Sequence, residues 1–321
     1  MFLGPASPII EDLQSLSDGL DISWKSDVTS RQEKYVVVYV RNDTGRPTNI
    51  NTTQPRVRLT NLYPGAGYVI KVYALSHGLL SEPHISFTAV YPNPPRNLSV
   101  ERVRGNKVTL KWLQPLNSLF TGYIIRYRPD QSDPTRTPRS WTEINDITET
   151  EYTLDDLLHG EQYEIEVDTV SHRVLSGQAL SVFQIIEPQE ITNLDPVLDA
   201  ENVTLQWPRP DGLVNVYLIK WYPLSNPDDE RQKEIPGDIE SEGIDRKISV
   251  LIEGLHPGVE YMFEITTEAH GLKSPTTQTR IRTMPLITSE ITVINQREVT
   301  TALTLRYTPT PLTSSLFDTY R

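Results

Sequence analysis

One seven-residue pattern, Leu-x-x-Gly-x-x-Tyr, occurs three times in this chain: LYPGAGY at 62–68, LLHGEQY at 157–163 and LHPGVEY at 255–261. Other residues fall into register around it. Upstream lie LDISW, VTLKW and VTLQW, which end at Trp24, Trp112 and Trp207. Then come KYVVVY, GYIIRY and VYLIKW. Nine residues beyond each pattern Tyr stands a histidine: His77, His172 and His270. The tryptophans are 88 and 95 residues apart. A repeat of that length is the size of a domain that folds alone, not of a solenoid unit.

Within each copy the pattern has period two: Leu20, Ile22 and Trp24; Tyr35, Val37 and Tyr39; Tyr68, Ile70 and Val72. Apolar alternation over short runs, with turn residues between them, marks half-buried antiparallel strands. Many short strands per ~90 residues and no helical periodicity make a two-sheet sandwich. The expected fold is therefore all-β: tandem immunoglobulin-like sandwiches of seven strands each, arranged as a segmented rod. The expected domains are 1–91, 92–187 and 188–285. A fourth begins at 286–321, where LTLRY and SLFDTYR echo the Trp segment and the SLFTGYI of the second copy. That copy is truncated, so the parent chain is expected to continue beyond Arg321. The 25 prolines fit turn-rich β structure. They also cluster at junctions such as YPNPPRNL, which read as semi-stiff hinges because proline fixes φ.

The repeated residues have structural work to do. The pattern Leu plugs the core, and the Gly permits the turn between strands. The Tyr (Tyr68, Tyr163, Tyr261) buries its ring and reaches a backbone group upstream with its hydroxyl, a tyrosine corner. Trp24, Trp112 and Trp207 fill the space between the sheets. Together, and without a disulfide, these motifs resemble fibronectin type III domains from Pro8 to Pro285. The tandem array, with its histidine at one place in each copy, is similar to the ectodomain of R3-type receptor protein tyrosine phosphatases, most of all an insect neuronal and epithelial member. The resemblance implies a single-pass type I membrane protein. Its extracellular repeats would bind a protein ligand on another cell. Its cytoplasmic phosphatase domain would act in axon guidance and epithelial tube shaping. It also implies a glycoprotein, and lateral homo-association is a further expectation.

Composition narrows the chemistry. The net charge of −12 disfavours nucleic acid and anionic membranes as partners. Cysteine is absent, so the nucleophile that a tyrosine phosphatase needs is not in this segment. No Gly-x-Ser-x-Gly elbow or phosphate-binding Gly-x-x-x-x-Gly-Lys loop occurs, and neither a catalytic residue nor a cofactor is expected here. Met1-Phe2-Leu3 is too short for a signal peptide, and no run of 18 apolar residues reads as a membrane span. The three repeated histidines fall in three different domains, whereas zinc would need three or four converging ligands. They read as turn residues.

Four sequons fit N-x-[ST]: Asn42-Asp43-Thr44, Asn51-Thr52-Thr53, Asn97-Leu98-Ser99 and Asn202-Val203-Thr204. Asn42 and Asn51 are expected in a loop after the third strand, and Asn202 in a turn. Acidity concentrates in the third domain, where 228–245 reads as a solvated loop. The outward faces of two neighbouring strands differ between domains. The second domain should expose Ile124, Arg126 and Arg128 beside Glu164, Glu166 and Asp168, which can pair. The third presents Leu218, Lys220 and Tyr222 beside Met262, Glu264 and Thr266. The first presents Val36, Val38 and Val40 beside Val69, Lys71 and Tyr73, an apolar face and the candidate ligand-binding surface. Two other readings use the same fold: an adhesion or extracellular-matrix protein without a phosphatase, and an accessory region of a secreted carbohydrate enzyme. The last predicts a sugar platform of exposed aromatics, for which Trp141 is the candidate.

Overall fold

The computed structural model describes residues 4–26, 32–130, 139–239 and 247–286, with the backbone of 292–293 and 305–306. The described chain is built from strands and falls into two compact units. Residues 1–156 and 162–184 form the first, and residues 157–161 and 185–321 the second.

The first sandwich runs β1 (Ile9–Ser15), β2 (Gly19–Lys25), β3 (Lys34–Arg41), β4 (Pro47–Thr52), β5 (Arg56–Thr60), β6 (Gly67–Ser76), β7 (Leu79–Leu80) and β8 (His84–Ala89). One sheet has the order β1-β2-β5; the other has β4-β3-β6, with β7 and β8 also paired to β6. The second sandwich repeats this with β9 (Arg96–Arg104), β10 (Lys107–Leu113), β11 (Gly122–Pro129), β12 (Thr142–Ile147), β13 (Glu151–Leu154), β14 (Gln162–Ser171), β15 (Val174–Leu175) and β16 (Leu180–Ile185). The third has β17 (Asp195–Leu198), β18 (Val203–Pro208), β19 (Val216–Pro223), β20 (Arg231–Pro236), β21 (Lys247–Ile252), β22 (Glu260–Ala269), β23 (Leu272–Lys273) and β24 (Thr277–Arg282). Each sandwich thus has seven full strands and one two-residue strand. Of the expected fourth copy only β25 (Thr292–Val293) and β26 (Leu305–Arg306) are described, as an antiparallel pair. The rest of 287–321 lies outside the described residues.

Alternation along the strands places the core. Leu20, Ile22 and Trp24 of β2 face Val37 of β3 and Ile70 and Val72 of β6, all 3% exposed or less. Trp112 and Trp207 are buried in the equivalent places, each against a tyrosine (Tyr123, Tyr217). In the corners, the Tyr63 N–H donates to Tyr68 Oη at 3.1 Å, and the His256 N–H to Tyr261 Oη at 3.0 Å. The corner glycines 65, 160 and 258 have φ of 71°, 69° and 70°, a region in which a Cβ is strained.

The three histidines open the hairpins that follow the long strands β6, β14 and β22. Each has φ 49°, and the next residue is also positive: Gly78 at 78°, Arg173 at 68° and Gly271 at 77°. Two positive φ values in succession mark a type I′ hairpin. A serine locks each hairpin: Ser81, Ser176 and Ser274 Oγ accept from the N–H groups of Ala74, Thr169 and Thr267 at 2.9, 3.3 and 3.0 Å.

The first junction is more than the proline hinge expected from sequence. Inside the first unit, the Leu119 N–H donates to Pro64 O at 3.0 Å. Ser171 Oγ, buried, donates to Gly65 O at 2.6 Å. The Asn93 N–H donates to Ser118 Oγ at 3.0 Å, and its side-chain amide to Leu116 O at 2.9 Å. Phe87 and His172 meet edge to face at 5.3 Å. The corner loop of the first sandwich is thereby a socket for the second.

Candidate ligand-binding face

The candidate residues of the first domain come together on one sheet face. Residues directly opposite in an antiparallel pair share a face. The register therefore builds three rows across the sheet: Asn51–Val36–Tyr73, Asn49–Val38–Lys71–Ile85, and Pro47–Val40–Val69–Phe87. Val36, Val38, Val40, Val69, Lys71 and Tyr73 are half-buried, not fully exposed as the sequence suggested, because all but Tyr73 have neighbouring strands paired on both sides. The strongly exposed apolar side chains are Ile85 (55%) and Phe87 (47%) on β8. Sequence reasoning missed both. They alternate as in any strand, and nothing local says that β8 extends the valine rows. Lys71 is the one charged side chain in these three rows.

The same positions in the other domains carry charge. On the second domain Arg126 bonds Glu166 at 2.8 Å and Asp168 at 2.7 Å, and Arg128 bonds Glu164 at 2.8 Å. Asp168 is not exposed as expected. It is 2% exposed and also accepts from Ser176 Oγ at 2.8 Å. Arg128 lies over the Trp141 ring at 4.1 Å from its centroid, and Arg126 at 5.8 Å. One face of Trp141 is therefore occupied by the arginine ladder. On the third domain Lys220 pairs with Glu230 at 2.8 Å, and Glu264 accepts from Gln278 at 2.8 Å. The Glu230 carboxylate raises the Lys220 pKa. The acidic stretch after Asp228 is not wholly a loop, since it contains β20, and 240–246 lies outside the described residues.

The sequons occupy different settings. Asn42 sits in the exposed turn between β3 and β4. Asn51 lies not in a loop but on β4, exposed, at the sheet edge. Asn97 is exposed on β9 with φ 52°. Asn202 is half-buried in the turn before β18. Among the described residues no group of three or more His, Cys, Asp or Glu could hold a metal, and no helix is long and apolar enough to cross a membrane.

Comparison with known proteins places these sandwiches. The model of the fibronectin type III domain matches residues 8–87, 93–182 and 188–282. Human receptor-type tyrosine-protein phosphatase H is 26% identical over 300 residues, covering 91% of this chain and 25% of that protein. Human tenascin-R is 24% identical over 206 residues, covering 63% of this chain and 15% of that protein. Chicken receptor-type tyrosine-protein phosphatase S is 24% identical over 298 residues, covering 88% and 19%. The chain thus spans a quarter or less of the length of these relatives. With three matches in tandem over most of its length, two-sheet topology in each and a tyrosine corner at the expected place, the chain belongs to the fibronectin type III family.

Proposed function

We propose that the chain is an extracellular, ligand-binding segment of a single-pass receptor tyrosine phosphatase of the R3 subtype, working between cells in axon guidance and epithelial tube shaping. The segment does no chemistry. Any phosphatase cysteine would lie elsewhere in the parent chain. Its role is to present a binding face to a protein on another cell and to space that face from the membrane. The observation that carries this reading is the contrast between equivalent faces. Val38, Val40 and Val69 stand in the first domain where the second carries the paired Arg126, Arg128 and Glu164, and the third carries Lys220 at the place of Val38. Apolar patches of this kind are where soluble domains meet partners.

A second reading is supported by the similarity to tenascin-R: an adhesion or matrix protein with the same domains and no enzyme. Sequence beyond Arg321 separates the two, since only the first requires a membrane span followed by a phosphatase domain. The carbohydrate-enzyme reading has less support, because one face of Trp141 already carries Arg128.

The binding face is tested by replacing Val69 and Ile85, on its β6–β8 side, with Glu and measuring attachment of the purified chain to intact cells. Attachment should fall more than tenfold while the unfolding midpoint of the first domain stays in place. Unchanged attachment would remove the valine face from the proposal.

A further inference from the structure

Strand β4 poses a problem that the other domains solve differently. It is an edge strand, and its sequence PTNINT carries no charge. The equivalent edges do. β12 holds Glu143 and Asp146 and has an irregular register against β11. β20 holds Arg231, Lys233 and Glu234. Charges and bulges are the usual protection of a sheet edge against pairing with another strand. β4 has neither charge nor bulge, and its one proline, Pro47, guards only its first residue: its register against β3 runs unbroken from Thr52 to Pro47. It does have Asn51, exposed, within the sequon Asn51-Thr52-Thr53.

The register adds a second point. Asn51 is the direct cross-strand neighbour of Val36, so its side chain leaves the sheet on the valine face. Opposed side chains in such a pair stand roughly 5 Å apart at Cβ. The first sugars of an N-linked chain present C–H surface that can cover aliphatic side chains, and their hydroxyls keep the outer side wet. The other exposed sequons lack this setting: Asn42 is in a turn beyond the strand, and Asn97 sits at positive φ on β9, in the β9-β10-β13 sheet of the second domain.

We infer that Asn51 carries an N-linked glycan that lies over Val36 and Val38, protects the β4 edge, and leaves the β6–β8 side of the face, with Val69, Ile85 and Phe87, as the surface open to a partner. The glycan decides which half of the apolar face is available. This inference rests on the extracellular reading above but not on the identity or existence of a ligand.

The chain has no cysteine, so one introduced thiol reports one position. The whole chain is secreted from eukaryotic cells as Val36→Cys and, separately, as Ile85→Cys. Occupancy of each sequon is read by peptide mass, and the rate of maleimide labelling is measured. Each rate is measured again with Asn51→Gln and, as a second way to remove the sequon, with Thr53→Ala. Loss of the glycan should speed labelling at position 36 several-fold and leave position 85 within twofold. A bare Asn51 beside occupied Asn42 or Asn97, or equal rates at position 36 with and without the glycan, overturns the inference. Four bare sequons overturn the extracellular reading with it.

Discussion

At the residue scale, two side chains carry strain or burial that chemistry can read. Arg173 holds φ 68° in the second hairpin, where the first and third domains have Gly78 and Gly271. A side chain with a Cβ is disfavoured there by about 1 kcal/mol or more. Arg173→Gly should therefore raise the stability of the second domain by about 1 kcal/mol, seen as a higher urea midpoint with an unchanged slope. A lower midpoint would mean that the Arg173 side chain makes a compensating contact. Tyr217 is buried beneath Trp207, and its hydroxyl has no hydrogen-bond partner. Burial pushes its pKa up to about 12, against a weaker lowering by Arg209. A raised pKa means that the folded state holds the proton more tightly. The resulting stability is full below pH 10 and is lost as pH rises from 10 through about 12. Two units correspond to roughly 2 to 3 kcal/mol. In alkaline titrations of the whole chain, Tyr217→Phe should flatten that decline for the third domain. An equally steep decline in the variant would assign it to other groups. The histidine repeat was legible as a turn, because its spacing from the corner Tyr never varies. That the turn needs two positive φ values was not legible, since the second domain puts Arg where Gly would have announced it.

Elements explain why the second domain tolerates a charged face over its sheet. Arg126 sits between Glu166 and Asp168, and Asp168 is fixed in turn by Ser176, the serine that locks the hairpin. A buried carboxylate without its partners would be costly, and so would the guanidinium left behind. Asp168→Ala should cost the second domain roughly 3 kcal/mol by denaturant unfolding. Trp141→Ala, which removes a stacking surface from Arg128, should cost only about 1 kcal/mol. If the two variants lose equal stability, the ladder is not held by its buried end. Alternation along β11 and β14 showed that these charges could pair. It could not show that Asp168 is buried, because that depends on β15 folding back over the end of β14 and bringing Ser176 with it. Likewise Asn51 read as a loop residue: a polar run such as PTNINT looks like a loop until its pairing with β3 is known.

At the scale of the whole first unit, the pattern LYPGAGY has two duties. The sequence announced one, since Leu62, Gly65 and Tyr68 make the corner that defines a sandwich. The other appears only when the next domain is in place. Pro64 and Gly65 then turn their carbonyls to the Leu119 N–H and the Ser171 hydroxyl, contacts separated by tens of residues that no local pattern encodes. The glycine is needed twice over. Its φ is 71°, and a Cβ on it would come within 1.8 Å of Leu119 O. Substitution at Gly65 would therefore disturb corner and joint together, whereas Ser171→Ala touches only the joint. Its hydroxyl is buried, and its loss leaves Gly65 O without that donor. A buried hydrogen bond is worth about 1 kcal/mol. If the two sandwiches are coupled through this socket, hydrogen exchange of the Leu119 amide in the full chain should quicken roughly fivefold in Ser171→Ala. The amides of Ile70 and Ile165, deep in the two cores, should keep their protection. Exchange at Leu119 that matches the parent chain would mean that the Leu119–Pro64 bond holds the joint alone. Faster exchange at Ile165 as well would mean that Ser171 supports its own sandwich more than the joint.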